Sequence, residues 1–274
     1  MTAVLALSSA LLIGTADFGG GLATRCDSPF RVTLWTQASS GATALVLVWL
    51  VPWTHVTGTD IIAGGLAGLS GSFSFVCFYA ALSRGAMGAV APVTAIVGAV
   101  VPAVVGFGRG EGLSAPAAVG LVAAVGAIAL VTVGPGEGGD RTAFVLAAVA
   151  GLGFSIFFVA LGETSDTAGL WPLVFARATS IPLVGLTTWL VAGSVALHHS
   201  ARRPALAAGV MEMAANIVLL WALQRGPLAV VSVFGSLYPI STALLAWMVL
   251  GERLGRSQVV GVVVATAALA LVAI

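Results

Sequence analysis

The chain has 274 residues, 59% of them hydrophobic and 8% charged, with a mean hydropathy of +1.10; that leaves too little polar surface for a soluble domain of this size and points to an integral membrane protein. Net charge is +1 and all eleven basic residues are arginine, with no run longer than Arg202-Arg203, which excludes nucleic acid or an anionic membrane surface as the recognised partner. The two cysteines, Cys26 and Cys77, fit no metal or redox spacing.

Apolar stretches bounded by charge, proline or glycine predict ten helices, at about 3–23, 30–52, 59–82, 86–108 and 115–134, then 142–162, 171–193, 204–223, 227–249 and 256–274. Segments of about 21 residues, rising ~1.5 Å each, cross the roughly 30 Å hydrocarbon core once. The first lacks the basic leader of a signal peptide and is expected to stay as a span. Strand alternation appears nowhere, so the reading is an all-α integral membrane protein and not a barrel. Gly134 to Asp140 is the one markedly Gly-rich polar stretch, and it divides the chain into a unit at 1–134, a linker at 135–141 and a unit at 142–274. Short loops leave no room for a soluble catalytic domain, so function is expected inside the bundle. Small-residue spacings such as Gly64/Gly68 and Ser70/Ser74 read as close helix packing.

The two units repeat one another. Residues 81–131 align without a gap onto 222–272, at a constant offset of 141, with sixteen of 51 positions identical. Arg84-Gly85 matches Arg225-Gly226, and Gly110-Glu111 matches Gly251-Glu252. Five spans per copy is an odd number, so the second copy enters the bilayer inverted, as in many secondary transporters.

Several motifs carry a resemblance. They are the duplicated Gly110-Glu111-Gly112-Leu113 and Gly251-Glu252-Arg253-Leu254, Ser236 to Pro239 within span nine, Gln258 to Gly261 opening span ten, and Asp17 to Gly20 in span one. In these the chain resembles a ten-helix transporter of the EamA type, in the drug/metabolite transporter superfamily, over essentially its whole length. The first-half motif departs from the family pattern, because Gly112 stands where the second half has Arg253. The resemblance implies secondary transport of a small metabolite or drug, commonly outward, through a central cavity between two five-helix halves.

Ionisable groups inside spans cost several kcal/mol unless they face protein or water, which makes each a candidate site. Glu212 falls eight residues into the predicted span eight, about 12 Å from its entry face, with Asn216 one turn further on the same side. Asp17 reaches a similar depth in span one, and Gln37 falls in the same layer. A carboxylate held away from water can bind a proton in one state and release it in another, which is the chemistry of proton coupling. The structural alternative is that these groups only tie helices together.

Arg177, six residues into span seven and nearer the opposite face, aligns at offset 140 with Gln37. It is read as a clamp for a substrate carboxylate or as the partner of Glu163 or Asp166, with snorkelling as the third option. Tyr238-Pro239 interrupts span nine as a kink or gate, answered in span four by Pro92 and Pro102. Glu111 and Glu252, at span ends, read as hinge and end-capping groups. The aromatic groups Phe73/Phe75/Phe78/Tyr79 and Phe154/Phe157/Phe158 are assigned to packing or lipid contact before cavity lining.

The expected partners are a small-molecule substrate (an amino acid, another metabolite or an amphipathic drug), protons and the lipid bilayer, with a homodimer left open. No nucleic acid, cofactor, metal or enzymatic activity is expected. Location is a cell or inner membrane, and the Arg-only, Ala/Gly/Val-rich composition points to a bacterial source. Arg25, Arg31, Arg84, Arg141, Arg202, Arg203, Arg253 and Arg256 lie on the face away from the termini, against Arg109 and Arg225 on the terminal face. That bias places the termini outside the cytoplasm, whereas the family resemblance implies the reverse, and both remain open at this point. The rival functions are a uniporter or exchanger without proton coupling, a membrane-embedded enzyme and a non-transporting scaffold.

Overall fold

The computed structural model describes residues 2–85, 87–110 and 141–251, with a few single residues in 116–123 and 259–267. Spans five and ten fall almost wholly outside these residues, as do Glu111 and Glu252. What is described is helical, without a strand: α1 (Thr2–Thr24), α2 (Pro29–Leu47), α3 (Gly58–Leu82), α4 (Met87–Gly108), α5 (Arg141–Gly162), α6 (Trp171–Ala192), α7 (His199–Leu223), α8 (Leu228–Gly235) and α9 (Pro239–Leu245). A short 3-10 turn, Asp166–Ala168, lies between α5 and α6, and a π turn, Ala246–Leu250, follows α9. Among the described residues seven segments are long and apolar enough to cross a membrane; α2, at 19 residues, is not among them.

Local chemistry sets the boundaries. Proline at the first position and the Ser28 hydroxyl, which accepts from the Arg31 amide, start α2. Thr57 and Asp60 form a reciprocal capping box at α3. Gly193, at φ 64°, ends α6 in the left-handed conformation that glycine adopts without strain. Apolar side chains such as Val46, Ile62, Leu66, Leu152 and Leu190 point outward, the arrangement lipid requires and water penalises.

The main contacts run between the two halves. Helix α1 packs on α7, α3 on α5 and α6, α2 on α6 and α7, and α4 on α5, α8 and α9. Setting α1, α2, α3 and α4 against α5, α6, α7 and α8–α9 in chain order turns each pairing into another one. Thus α1·α7 becomes α5·α3, α2·α7 becomes α6·α3, α4·α5 becomes the observed contact of α8 and α9 with α1, and α2·α6 becomes itself. Two glycines follow the same exchange: a Cβ on Gly68 would collide with the Ala176 carbonyl, and one on Gly209 with the Thr36 carbonyl. Backbones meet at both places because no side chain intervenes.

Each face of the bundle carries an acid latch between the halves. On one face, Asp27 in the α1–α2 connection accepts from the amides of His198 (2.6 Å) and Ser28 (2.7 Å) and from Arg31 (3.1 Å). Burial alone would push the Asp27 carboxyl up; these donors outweigh it and hold the group below the usual carboxylate value. On the other face, Asp60 accepts from the Ser165 amide at 2.7 Å, and Gln224 donates to the Ser165 carbonyl at 2.9 Å. Beside this second latch, Trp49 and Trp53 meet Trp171 edge-on at 5.7 Å, an aromatic cluster of the kind found at membrane interfaces.

Candidate functional site

Four polar side chains meet where α2 crosses α6, and they are two pairs at offset 140. Arg177 donates from Nη1 to Gln37 Oε1 (2.7 Å) and from Nε to Ser40 Oγ (3.0 Å), while the Ser180 hydroxyl donates to Gln37 Oε1 (3.1 Å). Residues 37 and 177 therefore touch each other, and 40 and 180 each touch the other's neighbour. The third guanidinium nitrogen, Nη2, reaches Glu212 Oε1 on α7 at 2.8 Å. Asn216 Nδ2, one turn along, donates to the same oxygen at 3.3 Å. Arg177 and Glu212 are each 4% exposed, so this is a buried ion pair with a polar frame around it. Among the described residues Glu212 Oε2 and Gln37 Nε2 have no hydrogen-bond partner.

On its other side Glu212 opens onto a cavity of about 50 Å³, room for a few waters. Asp17 on α1 and Asn216 line it with Glu212, and the walls are Phe75 of α3, Phe154, Phe157 and Phe158 of α5, and Thr94 and Gly98 of α4. Ser236 and Tyr238 close it from the link between α8 and α9. Asp17 is 4% exposed and has no hydrogen-bond partner among the described residues; Glu212, Tyr79 and Tyr238 all lie within its electrostatic range.

Asp17, Glu212 and Asn216 thus share one cavity, whereas Gln37 and Arg177 stand behind Glu212 in the wall. Arg177 corrects the sequence reading twice: it does not lie in a layer separate from Glu212, and its partner is neither Glu163 nor Asp166. The cause is helix length. Helix α7 starts at His199, five residues before the predicted boundary, so Glu212 sits about 20 Å from that end and near mid-helix. Glu163 instead pairs with Arg109, joining the ends of α5 and α4.

Span nine is broken at Ser236–Tyr238, directly before Pro239, as its sequence predicts, but α4 runs unbroken through Pro92 and Pro102. A lone proline costs a helix one hydrogen bond, while Gly235, Ser236 and Pro239 together weaken a whole turn. Phe75, Phe154, Phe157 and Phe158 line the cavity, where packing had been expected; Phe73 faces outward, and Phe78 and Tyr79 are packed in the core. Ser40 and Ser180 are site residues the sequence reading missed. Extending the repeat offset from Gln37 and Arg177 by one turn would have found them.

Residues 141–274 match the model of the EamA-like transporter family. Of 25 solved chains that match in structure, one crystal structure superposes with a TM-score of 0.70 at 19% sequence identity, covering 98% of this chain and 97% of the other. Identity that low establishes a shared fold and nothing of function. No curated protein matches the chain in sequence.

Proposed function

We propose, from the match of residues 141–274 to the EamA-like transporter family, a secondary active carrier of small metabolites or drugs, an exporter that exchanges its substrate for protons. In this reading ten spans form two inverted five-helix halves, and the cavity at Asp17 and Glu212 opens to one membrane face and then the other. The observation that carries it is a pair of buried carboxylates, one from each half, on a single cavity deep in the bundle. A carboxylate there needs a proton or a cation as company, and trading one for the other is coupling.

The exchange of helix contacts between α1–α4 and α5–α9 supports the inverted repeat, because an operation that swaps the halves must also swap their neighbours. Asp17, Glu212 and Asn216 bind substrate and proton, and Gln37 and Arg177 hold Glu212. Tyr238 and Pro239 act as the gate at the break in span nine, with Glu111 and Glu252 at the span ends as hinges. The protein works in a bacterial inner membrane, alone or as a homodimer.

The test is internal pH in proteoliposomes, scanned over amino acids and cationic drugs, with Glu212→Gln in parallel. Substrate-dependent proton movement that the variant loses is the expected result. Labelled substrate that crosses without moving protons makes the protein a uniporter or exchanger instead.

A further inference from the structure

Resting on the carrier reading, we infer that the cavity selects a monovalent organic cation with an apolar or aromatic body, and that Asp17, not Glu212, is the carboxylate this cation shares with the proton. The argument is an account of which polar groups are still free. Arg177, the only cation near the site among the described residues, does not line the cavity, and each of its three nitrogens already donates to Ser40, Gln37 or Glu212. Its charge answers that of Glu212, and the Asn216 amide is spent on the same carboxylate.

The charged groups that line the cavity are therefore acceptors, the carboxylates of Asp17 and Glu212, each on a side chain 4% exposed and the latter with Oε2 unpartnered among the described residues; Asn216, Thr94, Ser236 and Tyr238 add only neutral groups. With Glu212 neutralised from behind, one negative charge is left, at Asp17, and the groups facing it (Glu212 from α7, Tyr79 from α3 and Tyr238 from the α8–α9 link) add no positive one. A single uncompensated carboxylate in so small and buried a cavity takes up one positive partner at a time, a proton or an ammonium. The rings of Phe75, Phe154, Phe157 and Phe158 suit such a partner once the cavity, which here has room for a few waters, widens to admit it, since their faces attract cations and their bodies cover apolar surface. An anion meets two carboxylates and, from Asn216, Thr94, Ser236 and Tyr238, only neutral donors. A zwitterionic amino acid finds a charge for its ammonium and, among the described lining residues, none for its carboxylate, so an amine outbids the corresponding amino acid.

The experiment uses the full chain in detergent micelles and three probes of one shape: 2-phenylethylamine, a cation at neutral pH, uncharged 2-phenylethanol and anionic 3-phenylpropionate. Binding is read by calorimetry in two buffers of different ionisation enthalpy, which reports protons released. The amine is expected to bind at least about tenfold tighter than either analogue, to release a proton as it binds, and to weaken as pH falls because the proton competes. Asp17→Asn should abolish both the preference and the release. Asp17→Glu keeps the charge and should keep the preference, so a misfolded Asn variant does not obscure the result. An amine that does not bind, an equal or tighter 3-phenylpropionate, or an unchanged preference in Asp17→Asn overturns the assignment. Flux of 3-phenylpropionate in proteoliposomes would leave the carrier standing and remove only the cation. Tight amine binding with no flux of any probe would remove the carrier and leave the cation site.

Discussion

The two halves place different chemistry at matched positions. Across the α2–α6 crossing Gln37 stands opposite Arg177, and at offset 141 Gly71 and Phe75 stand where the second half has Glu212 and Asn216. The second half holds the ion pair and three of the four wall phenylalanines; the first half supplies Gln37 and Ser40 of the neutral frame, Phe75 and one unpaired acid, Asp17. On the inverted repeat we propose, duplication accounts for the scaffold, whose contacts exchange in pairs, while divergence accounts for the charge. A symmetric pair of Arg–Glu bridges would leave no net charge at the centre for a proton or substrate to answer. The asymmetry leaves one.

The strongest way to break this comparison is to strip the second half of its cation. Arg177→Met leaves Glu212 buried without a partner and should cost about 3–5 kcal/mol, read as thermal unfolding in detergent. Adding Glu212→Gln should recover most of that loss; if the double variant is no more stable than Arg177→Met alone, the ion pair is not what ties α6 to α7. Next in size, Gly68→Leu and Gly209→Leu test whether the halves are as alike in packing as they are unlike in charge. Each should destabilise by roughly 1–3 kcal/mol, by similar amounts, since each drives a side chain into a facing carbonyl. A large effect at one and none at the other would end the equivalence.

The smallest effect concerns the latches. The Asp27 carboxyl is held low by its donors, so its contribution is present above the ordinary carboxylate value, near pH ~4, and fades as pH falls through its own lower value. Asp27→Asn should cost about 1–2 kcal/mol at pH 7 and much less near pH 3, as the two unfolding curves converge. Curves that stay parallel across that range would mean that Asp27 acts through shape and not through charge.

Most span boundaries were legible because hydropathy and helix coincide where a helix meets lipid at both ends. The stretch read at 59–82 is Gly58–Leu82, and that at 171–193 is Trp171–Ala192. They part company where a helix extends into polar surroundings. His198 caps α7 and lets it start before the Arg202-Arg203 pair, so a hydropathy count begins five residues late. The reverse holds at α2, where Val48 to Val51 are apolar but not helical, since Pro52 disfavours helix in the residue before it. Five residues amount to about 7.5 Å of depth, enough to place Arg177 and Glu212 in separate layers. Asp17, Glu212 and Asn216 needed only depth and face to be found together. The Arg177 contact also needed the tilt of α6 against α7, which no periodicity encodes.

The node formed by Gln37, Ser40, Arg177 and Ser180 sits where α2 and α6 cross, with matched residues touching each other. When one body rocks on another, points at the pivot travel least. In the carrier we propose, bonds at that crossing can therefore persist through a rotation that opens one end of the bundle and closes the other, and Glu212, hung from Arg177, keeps its height in the membrane meanwhile. The fulcrum is then the buried crossing, and the ends, held by the Asp27 and Asp60 latches, are what must let go.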